Sequence, residues 1–135
     1  MDEAIIKYYR RLLRTGFEHA GTLENPTIFL DAVGENLTIC DEVGRDSLQL
    51  YVNVKEGIVN EVKYLCTCDP TTNVAVEIMC GLIKGKTLAE AETITPGSFA
   101  KALGSQSEDM FKKATGLLEL VHRGITRYTT KVIPD

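Results

Sequence analysis

DSLQLYVNVKEGIVNEVKYLCTCDP, Asp46 to Pro70, decides the fold. Leu48, Leu50, Val52 and Val54 alternate with Ser47, Gln49, Tyr51 and Asn53, the period of a strand with one buried face. Lys55-Glu56-Gly57 turns the chain, and Ile58, Val62, Tyr64 and Cys66 supply the apolar face of a returning strand. An antiparallel hairpin results, with Ile58, Val62 and Tyr64 expected under the same cover as Leu48, Leu50 and Val52. Beyond Cys68 the period changes. Asp69 suits an N-cap and Pro70 the first turn of a helix, so the hairpin runs straight into helical structure.

That helix carries Val74, Ile78 and Leu82 on its stripe and stops at Gly85, which suits the left-handed C′ position. The Gly85-Lys86-Thr87 triplet raises the question of a phosphate loop. Such a loop needs a preceding strand and four residues between its glycines, whereas only Leu82, Ile83 and Lys84 separate Gly81 from Gly85. Thr87 with Glu90 three residues on is a capping box, so the triplet reads as a helix stop followed by a helix start, and no nucleotide is expected.

Upstream, Ile5, Tyr8, Tyr9, Leu12, Leu13 and Phe17 have the spacing of an amphipathic helix over residues 3–17, ended near Gly16 and Gly21. Its other face holds Lys7, Arg10, Arg11 and Arg14, read as a solvated face. Residues 22–44 carry a mixed signal, with a turn at Glu24-Asn25-Pro26 and a short strand expected around Leu37–Cys40. Downstream, a short helix follows Pro96, around Ser98–Leu103. A long helix over Ser107–Arg127 has Met110, Ala114, Leu117, Leu118, Val121 and Ile125 on one face, with Gly116 and Gly124 weakening it slightly.

A chain of 135 residues with 44% apolar and 25% charged residues fits one globular domain over 1–135. Its net charge of −4 argues against a nucleic-acid partner. Met1-Asp2-Glu3 does not open a signal peptide and no run is long enough to span a membrane, so a cytoplasmic location is expected. In a reducing compartment Cys40, Cys66, Cys68 and Cys80 read as core residues or metal ligands rather than disulfides. Two residues apart on one extended segment, Cys66 and Cys68 would have Cα atoms roughly 6.5–7 Å apart, at the limit for a bridge. No nucleophile–base motif, dinucleotide loop or H-E-x-x-H is present, so no enzyme is expected.

The order of elements, with Cys68 at the strand-to-helix junction, resembles the iron–sulfur cluster assembly scaffold family, the IscU type and the N-terminal domain of NifU. Tyr8-Tyr9 on the first helix, Glu24-Asn25-Pro26, and Asp46 at the opening of the long strand match as they stand. Lys84-Gly85-Lys86-Thr87 with Glu90-Ala91 and Thr93-Ile94 is similar to the family's K-G-K-T-x-x-E-A-x-x-I. The resemblance covers residues 22–127 and implies an α+β fold, a small sandwich whose three-stranded antiparallel sheet is covered on one face by helices.

Family members present three Cys and an Asp, some also a His, to zinc or a nascent cluster. Here Gly44 stands where the first Cys is expected, and Gln106, Ser107 and Glu108 stand where the last should open the final helix. The family's L-P-P-V-K loop is also missing. The resemblance therefore implies iron, a [2Fe–2S] cluster or zinc at Cys68 and Asp46, completed by Cys66, Cys40 or a second subunit of a homo-oligomer. It implies sulfur delivered by a cysteine desulfurase. The alternative is a degenerate member that binds no metal and serves as a protein-interaction or regulatory module.

Thiolate and carboxylate ligands in a tetrahedron suit iron and zinc. A thiolate at Cys68 is favoured by the helix N-terminus and disfavoured by Asp69 beside it. Cys66 makes a C-x-C pair with Cys68, yet alternation puts it on the apolar face, where a Cys is usually core. Cys80, in mid-helix beside Ile78 and Met79, reads as packing. His122 falls late on the last helix and His19 near the end of the first, and neither is expected to be a ligand.

Overall fold

The structure is a computed structural model that describes residues 2–35 and 47–132, the last two by backbone alone. Among the described residues the order is α1 (Glu3–Thr15), β1 (Ile28–Asp31), β2 (Ser47–Lys55), β3 (Ile58–Thr67), α2 (Pro70–Ile83), α3 (Leu88–Glu92), α4 (Pro96–Leu103) and α5 (Glu108–Val132). The strands form one antiparallel sheet in the order β1-β2-β3, and the helices cover one of its faces. This is the α+β arrangement the sequence led to. No helix among the described residues is long and apolar enough to cross a membrane.

The hairpin turns on Glu56 and Gly57, both at positive φ (55° and 76°), the two-residue turn whose twist matches its strands. Its register holds one surprise. Asn53 pairs with Glu61 but Val54 pairs with Val59, so β3 carries an extra residue at Asn60. Each added residue moves the side chains beyond it to the other face. Val59 is therefore buried with Val62 and Tyr64, and Ile58, expected in the core, is 40% exposed.

The expected strand around Leu37–Cys40 lies outside the described residues, and the strand that pairs with β2 is Ile28–Asp31. Four residues are too few for a periodic signal, but their partners make them a strand: Ile28 opposite Val52 and Leu30 opposite Leu50.

Helix α2 is the centre of the fold, buried on nearly every side from Val74 to Cys80. Asp69 caps it by accepting from the Thr72 N–H at 2.7 Å, and Pro70 opens it. Past its end Gly85 sits at φ +84°, and the Thr87–Glu90 capping box starts α3 with both reciprocal bonds made. The Gly-Lys-Thr triplet is thus a helix stop and start. Helix α5 crosses the sheet at Gly124, where a Cβ would stand 2.6 Å from Leu30 Cδ1. The open edge of β3 is covered at both ends. Gly21 donates to the Tyr64 carbonyl and Tyr64 to the His19 carbonyl, while Gly85 donates to Val59 and Val59 to Lys86.

Candidate functional site

Cys66 lies on β3 opposite Leu48, half-buried against the core, whereas Cys68 follows the end of the strand at Thr67 and precedes the cap Asp69. The chain is already turning into α2 at that point. The two Cα atoms are 5.3 Å apart and the sulfurs are joined in a disulfide. Here the structure departs from the extended spacing expected of this segment, because the second cysteine is no longer on the strand. Cys66 is accordingly not a fully enclosed core residue. The Cys68 Sγ also stands 3.8 Å from the carbonyl oxygen of Ser47, the first residue of β2.

Asp46, which immediately precedes Ser47, lies outside the described residues, as do Cys40 and Gly44. Of the sequence-derived ligands the structure therefore brings together Cys66 and Cys68. Among the described residues, no group of three or more His, Cys, Asp or Glu side chains is placed to hold a metal ion. Cys80 is fully buried on α2, and burial, followed by the nearby Glu77, pushes its thiol pKa well above the ordinary range. His122 is exposed on α5, 3.5 Å from Glu92.

The junction is braced from inside by a buried polar network that sequence reasoning missed. Glu77 Oε1 accepts from the His19 backbone N–H at 3.1 Å and lies 2.8 Å from His19 Nδ1. A carboxylate oxygen is an acceptor, so the tautomer that completes this contact is the one with the proton on Nδ1. The Tyr64 hydroxyl bonds Glu77 Oε2 at 2.8 Å and the Asn73 side chain at 2.9 Å. Tyr64 is two residues before Cys66 and Asn73 one helical turn after Asp69, so the network clamps the end of β3 to the start of α2. Burial first, then the charge of Glu77, raises the Tyr64 pKa and keeps its proton in place. The available signal was Glu77 itself, an acid inside the apolar run Val74 to Met79.

The family model for the NifU-like N-terminal domain matches residues 17–134. The chain belongs to that family. Two solved structures give the same fold for this NifU-like chain. One is described as an iron–sulfur cluster assembly scaffold protein for the SUF system, from the thermophilic Fervidobacterium islandicum AW-1. It aligns with a TM-score of 0.62 at 15% identity over 93% of this chain and 96% of that one. The other is the N-terminal part of a nitrogen-fixing NifU-like protein from Brucella abortus, with a TM-score of 0.62 at 12% identity over 97% and 95%. No curated protein matches the chain.

Proposed function

We propose that this NifU-like chain is a divergent scaffold of iron–sulfur cluster assembly. Its cargo is iron, a [2Fe–2S] cluster or zinc, held at Cys68, Cys66 and Asp46, with sulfur from a cysteine desulfurase in the cytoplasm. The observation that carries the reading is the pairing of the Cys66 and Cys68 sulfurs at the β3–α2 junction, against the strand end that follows Asp46. Two cysteine sulfurs and a carboxylate are donors that iron and zinc take, and both prefer four ligands. The fourth comes from Cys40 or a second subunit, since Gly44 offers no side chain. For both sulfurs to coordinate, the bond between them must be reduced. In this role the chain holds and passes on its cargo and catalyses no reaction alone.

A second reading has its own observation. On the sheet face away from the helices, Phe29 and Tyr51 pack at 5.2 Å and Leu65 is exposed, a surface fitting a protein-interaction module without metal. Anaerobic reconstitution with ferrous iron and sulfide, followed by visible absorption and metal analysis, separates the two. On the scaffold reading Cys68→Ser loses most of the bound iron or zinc, because a hydroxyl does not replace a thiolate for soft metals. It lowers the melting temperature of the loaded form only. Cys80→Ser destabilises apo and loaded forms alike, since it buries a hydroxyl. Wild-type protein that holds no metal and gains none makes the interaction module the better account.

A further inference from the structure

We propose that Cys66 and Cys68 form a reversible thiol–disulfide pair, whose closed form withholds both sulfurs from metal. The second half rests on the function proposed above; the exchange itself does not. A bridge between residues two apart closes almost no loop, so it has little to contribute to holding the fold together. The fold is secured here by other means. Tyr64 bonds Asn73 and Glu77 on one side of the junction, and Asp69 caps α2 at 2.7 Å on the other. None of these contacts involves the two sulfurs, so opening the bond removes none of them.

Both cysteines are half-buried, and their surroundings differ. Cys66 packs against the core, while Cys68 lies outside it beside the exposed Ser47. Attack by the thiolate of a small thiol at Cys68 Sγ breaks the S–S bond, and the released electron pair stays on the Cys66 sulfur, which takes up a proton. A second thiol of the reductant attacks its own sulfur in the mixed disulfide and frees Cys68. The balance is one protein disulfide plus two thiols to two protein thiols plus one small-molecule disulfide. Cys80, the free cysteine among the described residues, is fully buried and does not compete. The open pair offers two adjacent thiols to a soft cation, and the closed pair offers none.

The test uses the full chain equilibrated in buffers of graded reduced-to-oxidised dithiothreitol, acid-quenched, denatured and alkylated. Mass analysis should show two labels gained together at one midpoint, mapped to the peptide holding Cys66 and Cys68, with Cys80 labelled throughout. The step should reverse on reoxidation and survive Cys80→Ser. It should vanish in Cys66→Ser and in Cys68→Ser. Competition with a chromogenic chelator should show the reduced protein binding Zn²⁺ at least tenfold more tightly than the oxidised one. Cys66 and Cys68 labelled independently at every ratio would overturn the proposal, as would a bond that opens only when the chain unfolds. Equal, measurable Zn²⁺ affinity in both forms would overturn the withholding. No Zn²⁺ binding in either form, with the exchange intact, would instead sink the scaffold reading and leave the exchange pair standing.

Discussion

Replacing Glu77 by leucine should be among the most damaging single changes in this protein. The carboxylate sits 5% exposed on α2 and takes three hydrogen bonds, from the His19 backbone N–H (3.1 Å), His19 Nδ1 (2.8 Å) and Tyr64 (2.8 Å). Leucine fills the volume but leaves both His19 donors buried without an acceptor, whereas Tyr64 keeps Asn73. A buried polar group left unpaired costs about 1–3 kcal/mol, so the expected loss is about 3–5 kcal/mol. That is a large share of the roughly 5–15 kcal/mol that stabilises a domain. In urea, with a slope of about 1.5–2 kcal/mol per molar, the unfolding midpoint should fall by about 2 M at unchanged slope. Glu77→Gln should lose only about 1–2 kcal/mol, because its amide oxygen still accepts from His19 and its NH₂ can donate to Tyr64. A double-mutant cycle with Tyr64→Phe isolates the shared bond and should give a coupling of about 1–2 kcal/mol. The reasoning is refuted if Glu77→Leu unfolds within about 1 kcal/mol of wild type, the uncertainty set by the context of single interactions.

Two further outcomes follow from the packing. Gly124→Ala gains about 1 kcal/mol of helix propensity but drives a methyl to 2.6 Å from Leu30 Cδ1, and overpacking of about 1–3 kcal/mol should make it net destabilising. Gly81→Ala, on the exposed side of α2 with nothing within 4 Å, should instead stabilise by about 0.5–1 kcal/mol, and opposite signs in paired urea melts are the check. Burial holds the Cys80 and Tyr64 protons in the folded chain above their ordinary values of 9.0 and 10.0. Each group's contribution is thus full below its unfolded pKa and lost as pH rises toward the folded one, at about 1.4 kcal/mol per pH unit per group. Stability measured against pH should begin to fall near 9, and in Cys80→Ala the fall should begin about one unit higher.

What the sequence by itself determined is what rests on neighbours within a few residues. The alternation over Ser47–Lys55, the Asp69 cap, the Gly85 stop and the Thr87–Glu90 capping box are each complete within a turn of helix or a run of strand. They are legible because the same few side chains supply both donor and acceptor, or both sides of a stripe. The helical stripe of α5 was legible for the same reason, although the helix runs on to Val132.

Tertiary structure alone decided the rest, because each remaining feature depends on a partner far along the chain. Ile28–Asp31 is a strand because β2 offers it an edge, not because four residues carry a period. The bulge at Asn60 comes from the pairing of β3 with β2, and it moved Ile58 out of the core and Val59 in. Gly124 lets α5 lie close against Leu30 and Ile28, and His19 meets Glu77 across 58 residues. The same holds at the candidate site. The C-x-C spacing was plain in the sequence, but a period-two reading carries Cys68 along the strand. It is the end of pairing at Thr67 and the start of α2 at Pro70 that turn the backbone and bring the two Cα atoms to 5.3 Å.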